Sequence, residues 1–123
     1  MRIRPEKVAH LMRREVADIL MNKMRDPRIG VMVSVTDVEI TNDLSFAKIF
    51  VSVLGDDAER KQTMEVLAHA TAFIRHELGP RMGLREVPEL RLILDTSLDR
   101  GARVDELLRR LQSGETVEDE ELE

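Results

Sequence analysis

The stretch from Val31 to Leu54 constrains the fold most strongly. Two segments rich in β-branched residues, 31–40 and 46–54, flank the turn-forming cluster 41–45. This pattern predicts a β-hairpin. In the first segment the apolar residues change parity near Thr36–Asp37. Because a strand presents alternate residues on opposite faces, the change predicts a β-bulge at that point.

The second hairpin segment has one apolar face and one mixed face. The apolar residues Ala47, Ile49, Val51 and Val53 alternate with the mixed set Phe46, Lys48, Phe50 and Ser52. We therefore expect one side of the hairpin to be core and the other to contact water. Because an isolated hairpin is only marginally stable, the flanking segments must cover its apolar side.

Helical periodicity appears on both sides of the hairpin. Apolar residues at helical spacing predict an amphipathic helix from about Pro5 to Asn22, which Asp26–Pro27 would stop. A longer helical segment is predicted to begin at Asp56, with Glu59 as its capping-box partner, and to end at Gly79–Pro80. Beside its main apolar stripe, a second apolar stripe consists of Val66, Ala70 and Phe73. So wide an apolar surface indicates deep burial, or a buried face that rotates along the helix.

A third strand is predicted after a loop at residues 81–89, because Leu90, Leu92 and Leu94 alternate beyond Pro88. A short helix is predicted over residues 102–111. Strand–helix–strand crossovers are nearly always parallel and right-handed. The order of elements therefore predicts an α+β fold, with a three-stranded mixed sheet and the helices on one face.

The strand and helix phases also predict which side chains are buried. The expected core residues are Ile49, Val51, Leu67, Ile74 and Leu92. The expected open face of the sheet carries Ser34, Thr36, Lys48, Phe50, Ser52, Arg91 and Ile93.

Charge is distributed unevenly along the chain. The net charge is −5, but residues 113–123 hold six acids and no base, so the chain without them would carry +1. Residues 1–28 hold eight bases and four acids. Such a basic segment can mark a polyanionic partner, or it can be an ordinary solvated helix face. We predict one folded domain at 1–112 and a disordered acidic tail at 113–123.

Several classes of protein are not expected. The chain has no cysteine, which excludes disulfides and thiolate metal sites. No apolar run approaches the roughly 18 residues that a membrane span needs. The first residues are amphipathic rather than an apolar signal peptide. We expect a soluble cytoplasmic protein with no membrane partner.

The residues do not form a recognisable catalytic pattern. His69 and His76 are seven residues apart, whereas metal-binding pairs on a helix are usually four apart. Asp26 and Asp43 are better explained as a helix stop and a turn residue. No nucleophile elbow or glycine-rich nucleotide loop occurs. We expect no enzyme, no cofactor or metal, and no small-molecule substrate.

The predicted βααβ core, preceded by a helix and a strand, resembles the bacterial type of KH domain (type II). Such domains clamp a nucleotide backbone with a GXXG loop between two helices. This chain lacks GXXG, because Gly79 and Gly83 are one residue too far apart and lie beyond the helix. Phe46 and Phe50 could stack bases on the open face, but sheets that read RNA by stacking usually carry more aromatics.

A more specific resemblance is to the ribosome-binding factor A family of bacterial small-subunit maturation factors. It rests on blocks that occur in order over roughly residues 4–111. These are Asp26–Arg28, Val33–Val38, Asp43–Leu44, Ala47–Ser52, Ala70–Arg75, Arg85–Leu90, Asp95–Ser97 and Asp105–Leu108.

The resemblance implies a KH-like fold without GXXG, whose long helical segment is kinked at an Ala-x-Gly. This chain has Ala70-Thr71-Ala72 there, and Ala favours a straighter helix than Gly does. The resemblance also implies a factor that binds ribosomal RNA of the immature small subunit, aids late processing and maturation, and is needed more in the cold. We expect a monomer, although the sequence does not determine the oligomeric state.

The candidate RNA-binding residues are Arg2, Arg4, Lys7, Arg14, Lys48, Arg75, Arg81 and Arg85. Arginine suits this task because its planar fork can bond two phosphate oxygens. The alternative function is a protein-interaction module that docks a partner through the open sheet face or the acidic tail. The alternative for the residues themselves is that they are scattered solubilising charges.

Overall fold

The structure, a computed structural model, describes residues 4–97 and Arg109. In that part of the chain a three-stranded sheet is covered on one face by helices. The elements are α1 (Pro5–Asn22), α2 (Arg28–Met32), β1 (Val33–Ile40), β2 (Phe46–Val53), α3 (Asp57–His69), α4 (Thr71–Met82) and β3 (Glu89–Leu94). The predicted helix at 102–111 and the predicted tail at 113–123 lie outside the described residues, apart from Arg109.

The first helix has the predicted bounds. Pro5 occupies its first turn, where the missing amide proton costs nothing. Its buried stripe consists of Val8, Met12, Val16, Ile19 and Leu20. This stripe packs on β1 and α4, so α1 closes the hydrophobic core from the helix side.

The hairpin and its bulge are confirmed. Strands β1 and β2 are antiparallel, and their register shifts between Val35 and Asp37. In the turn, the Asp43 carboxylate accepts hydrogen bonds from the Ser45 and Thr41 hydroxyls, at 2.7 Å each. These bonds lower the pKa of Asp43. Its role as a turn residue is therefore confirmed.

The start of the first strand was predicted too early. Val31 and Met32 end the one-turn helix α2, and β1 begins at Val33. The Asp26 side chain accepts from the Arg28 amide at 3.0 Å, which starts this turn. Gly30 then lies against α1, since a Cβ at Gly30 would come within 3.0 Å of the Met21 backbone. Close packing against α1 therefore favours the helical turn here. The strand preference of the individual residues does not reveal such packing.

The long helical segment breaks as the family resemblance implied. Helix α3 opens with the predicted capping box of Asp56 and Glu59. It ends at His69, and α4 begins at Thr71; Ala70 between them has φ −89° and ψ 0°, away from ideal α-helical values. The Thr71 hydroxyl donates to the Leu67 carbonyl at 3.1 Å. This type of back-bonding often bends helices, so the break forms without a glycine.

The predicted end of the long segment at Gly79–Pro80 was wrong. Helix α4 passes through Pro80 and ends at Met82, with Gly83 in the left-handed region at φ 63°. The Leu84 amide donates to the Gly79 carbonyl at 3.3 Å, which closes this C-terminal cap. Pro80 is exposed in the last turn. Proline has no amide proton to donate to the carbonyl four residues earlier. Because this turn is exposed, that carbonyl can bond to water instead.

The third strand pairs in parallel with β2, which confirms the predicted mixed sheet; the strand order is β1-β2-β3. Ile49, Val51, Leu67 and Ile74 are completely buried, as predicted. Leu92 is only half-buried and packs against the edge of the core. The prediction that Leu92 is buried was therefore wrong, although Leu90 on the same strand is buried.

Candidate nucleic-acid interface

Exposed cations line the outer surface of α1. Lys7 and Arg14 are both exposed and are seven residues apart, which places them on one stripe two turns long. Arg4 immediately precedes the helix and is exposed as well. The Arg14 side chain is 75% exposed and lies 3.6 Å from Glu15. So weak a contact leaves its guanidinium available to an anion. Arg2 lies outside the described residues.

Arg75 is bound within the fold. Its Nε donates to the Pro88 carbonyl at 3.0 Å, and its Nη2 donates to the Val87 carbonyl at 2.8 Å. The side chain is half-buried. Both bonds fasten α4 to the segment that leads into β3. The Arg75 fork is therefore engaged with the backbone rather than presented to solvent.

Arg81 is also engaged internally. Its Nη1 donates to the Asp18 carboxylate and, at 3.2 Å, to Glu15, both on α1. The hydrogen bond from Arg81 lowers the pKa of Asp18, and Asp18 in turn raises the pKa of Arg81. With only 21% of its side chain exposed, Arg81 holds α4 against α1.

Lys48 lies on the opposite side of the sheet from the helices. Its strand neighbours Ala47 and Ile49 are fully buried under the helices, whereas Lys48 is exposed. Directly paired with it are Glu39 on β1 and Arg91 on β3. Cross-strand partners share a face, so Glu39 offsets part of the positive charge that Lys48 and Arg91 place there. Arg85 is exposed in the loop before β3.

The predicted residues therefore do not form one continuous surface. The structure groups Arg4, Lys7 and Arg14 along α1. It places Lys48 on the open face of the sheet, and it engages Arg75 and Arg81 in contacts between elements.

A cleft that the sequence did not predict opens between the chain after α1 and the α3–α4 junction. Its volume is about 600 Å³. One wall carries Lys23, Arg25 and Ile29, and the other carries Val66, His69 and Phe73. The second apolar stripe of the long helical segment was the available signal. We call this space the junction cleft.

A second groove is less suited to a polyanion. It runs between the first half of α1 and β1, and its charged lining includes Glu6, Asp37 and Glu39 beside His10 and Arg13. Three acids outnumber the one arginine and the one histidine there, so phosphate has no electrostatic preference for this groove.

The described residues show no metal-binding constellation. No group of three or more His, Cys, Asp or Glu side chains within them could hold an ion. His10, His69 and His76 are exposed on separate stretches of helix. Over the same part of the chain, no helix combines the length and the apolar character of a membrane span.

Comparison with known proteins assigns the family. The family model of ribosome-binding factor A matches residues 4–108. This chain belongs to the ribosome-binding factor A family. A ribosome-binding factor A from Desulforamulus reducens is 51% identical to it over 112 residues, which cover 91% of this chain and 92% of that protein.

Solved structures of ribosome-binding factor A share the fold. The crystal structure of the Thermus thermophilus protein aligns with a TM-score of 0.64 at 18% identity, covering 75% of this chain and 97% of the other. A homology model of the Thermus thermophilus protein, fitted into a cryo-electron-microscopy map of its complex with 30S, gives 0.58 at 21% identity. That alignment covers 72% of this chain and 96% of the other. The three-stranded sheet and its helical layer are therefore the family fold.

Proposed function

We propose that this protein is a non-catalytic assembly factor that binds ribosomal RNA of the immature small subunit and aids its late maturation in the cytoplasm. One observation carries the proposal. The ribosome-binding factor A family model matches residues 4–108, a span that takes in all of the elements described above. The likeness to a Thermus thermophilus protein fitted into a map of a 30S complex agrees with this partner.

The distribution of cations supports RNA as the ligand. Arg4, Lys7 and Arg14 are exposed along α1, and Lys23 and Arg25 are exposed just beyond its end. Helical rise places Lys23 about 14 Å along the axis from Arg14. Phosphate contacts from such dispersed bases supply affinity and position without reading sequence. Since nine residues are about two and a half helical turns, Lys23 lies about half a turn round the axis from Arg14. We therefore assign the primary RNA contact to the exposed stripe of Lys7 and Arg14, with Arg4 before it and Arg85 as a further candidate.

The exposed members of this set allow a direct test. Lys7→Glu combined with Arg14→Glu should weaken binding to immature small subunits and flatten the dependence of log affinity on log salt, by roughly one unit per phosphate contact removed. The fold should be unaffected, because neither side chain contacts the core. Lys61→Glu, an equally exposed change on α3, is the matched control.

The protein-docking alternative makes the opposite prediction. Binding that persists in Lys7→Glu/Arg14→Glu and varies little with salt would favour an apolar protein contact. Weaker binding of Lys48→Glu would then place that contact on the open sheet face, because this change leaves the helix side intact. Wild-type protein that does not bind immature subunits at all would overturn the proposed function.

A further inference from the structure

Two of the apolar side chains that line the junction cleft, Val66 and Phe73, are not used by the core. Leu67 and Ile74 are completely buried, whereas Val66 and Phe73, each one position before them, are 40% exposed. The apolar surface of α3 and α4 therefore divides into a part that enters the core and a part that faces the cleft. Ile29 from α2 completes the apolar lining opposite. A volume of about 600 Å³ is within the usual range for a site that holds a small organic group.

Two cations that form no ion pair among the described residues stand at the edge of this apolar space. Lys23 and Arg25 are exposed, and within residues 4–97 neither forms an ion pair. Among the described residues that line the cleft, Asp26 is the one acid. Arg28 occupies both of its oxygens, with Nε at 3.0 Å from Oδ1 and Nη2 at 2.7 Å from Oδ2. The charge left for a ligand is therefore positive.

Phe73 supplies the third element of the site. The other two phenylalanines, Phe46 and Phe50, belong to β2, so Phe73 is the aromatic side chain on the helix side of the sheet. An exposed ring beside free cations is the combination by which proteins hold unpaired nucleotides. The ring stacks on the base, and the cations bind the phosphate. An apolar side chain of a protein would use Val66 and Phe73 but would leave both cations without partners.

We propose that the junction cleft binds one unpaired nucleotide of ribosomal RNA, with its base against Phe73 and its phosphate at Lys23 and Arg25. This inference rests on the proposed function and adds to it a defined site and a requirement for single-stranded RNA. Bases within an A-form helix are stacked on their neighbours and cannot reach the ring. Stacking on an aromatic ring is tolerant of base identity, so the site selects unpaired structure rather than a particular base.

The test compares variants on immature small subunits and on protein-free ribosomal RNA of the same particle. Phe73→Leu keeps an apolar side chain but removes the aromatic face, and it should lower affinity about tenfold with the salt slope unchanged. Phe73→Tyr keeps the ring and should retain affinity. Lys23→Met combined with Arg25→Met should lower affinity and flatten the salt slope by roughly one unit per contact. Phe50→Leu, on the open sheet face, is the matched control.

The outcomes separate this site from the broader function. Equal affinity of Phe73→Leu and wild type would overturn the nucleotide site and leave RNA binding through α1 standing. If Phe73→Leu loses affinity for subunits but not for protein-free RNA, the cleft contacts a ribosomal protein. That result would also overturn the proposal. Failure of the wild-type protein to bind either target would overturn the proposed function, and the nucleotide site with it. Thermal midpoints of all variants are measured first, so that a folding defect is not taken for lost contact.

Discussion

The Arg81 guanidinium donates a hydrogen bond to the carboxylate of Asp18, and this bond joins α4 to α1 across 63 positions of sequence. The two helices contact each other extensively, and Glu15 adds a second carboxylate to the same guanidinium at 3.2 Å. Arg81 was a candidate phosphate ligand on sequence grounds. Its partners in the folded chain indicate that it fastens the helical layer instead.

Arg81→Met should therefore lower the thermal midpoint while leaving RNA affinity close to that of the wild type. Methionine keeps most of the alkyl packing and removes the charge, so two partly exposed carboxylates lose their partner. Arg14→Met is the control, because its guanidinium is mostly exposed. A double-mutant cycle with Asp18→Asn should show coupling between the two positions. Lost RNA affinity with an unchanged midpoint would instead return Arg81 to the RNA interface.

The same pair should make stability depend on acid pH. The hydrogen bond from Arg81 holds the pKa of Asp18 below its ordinary value of 3.8. A depressed carboxyl pKa stabilises the folded state above the unfolded value, and this contribution disappears as pH falls through the folded pKa. The stability difference between wild type and Arg81→Met should be full at neutral pH and should shrink below about pH 4. Urea unfolding at a series of pH values measures this, and a difference that stays constant down to acid pH would contradict it.

Arg75→Lys should destabilise the fold by about 1.5–3 kcal/mol, although the charge is kept. Arginine bonds two successive carbonyls, at Val87 and Pro88, with separate nitrogens of one planar fork. A lysine ammonium cannot reproduce that geometry. Arg85→Lys, in the exposed loop nearby, should cost almost nothing. Equal stability of the two variants in urea unfolding would show that the carbonyl contacts are dispensable.

The sequence predicted the local features of this fold and missed those that depend on distant contacts. The change in which alternate residues are apolar predicted the bulge near Asp37, and the spacing of Asp56 and Glu59 predicted the capping box. Both features could be predicted because the residues that form them lie within a few positions of one another. The helical turn at Val31 depends instead on packing against α1.

The same distinction explains the candidate site. The sequence shows that Arg81 is present, but it does not show which carboxylate will pair with it. Its partner Asp18 lies 63 positions earlier. The exposed cations of α1 could be assigned because helical phase alone places them outside. The junction cleft also required the path of the chain after α1 and its packing beside the α3–α4 junction, and these are not encoded in local spacing.

Core packing predicts a graded response to truncation. Leu67→Ala should cost about 2–5 kcal/mol, because Leu67 is completely buried on the inner side of α3. Val66→Ala, at the preceding position and 40% exposed, should cost much less. Leu92→Ala should fall between them, since the half-buried side chain can be partly replaced by solvent. Denaturant unfolding of the three variants gives the order, and a larger loss at Val66 than at Leu67 would show that the helix is rotated from its assigned position.

The acidic segment at residues 113–123 lies outside the described structure and remains a prediction from sequence. Its six acids and absence of bases give it little to contribute to a core and a charge that opposes RNA phosphate. Removing it should leave the thermal midpoint unchanged and tighten RNA binding slightly at low salt, where screening is weakest. The gain should disappear as salt rises, and a variant with the six acids changed to their amides should match the truncation. Loss of the fold on truncation would show that the segment packs against the domain. A tightening that persists at high salt would point to steric rather than electrostatic competition with RNA.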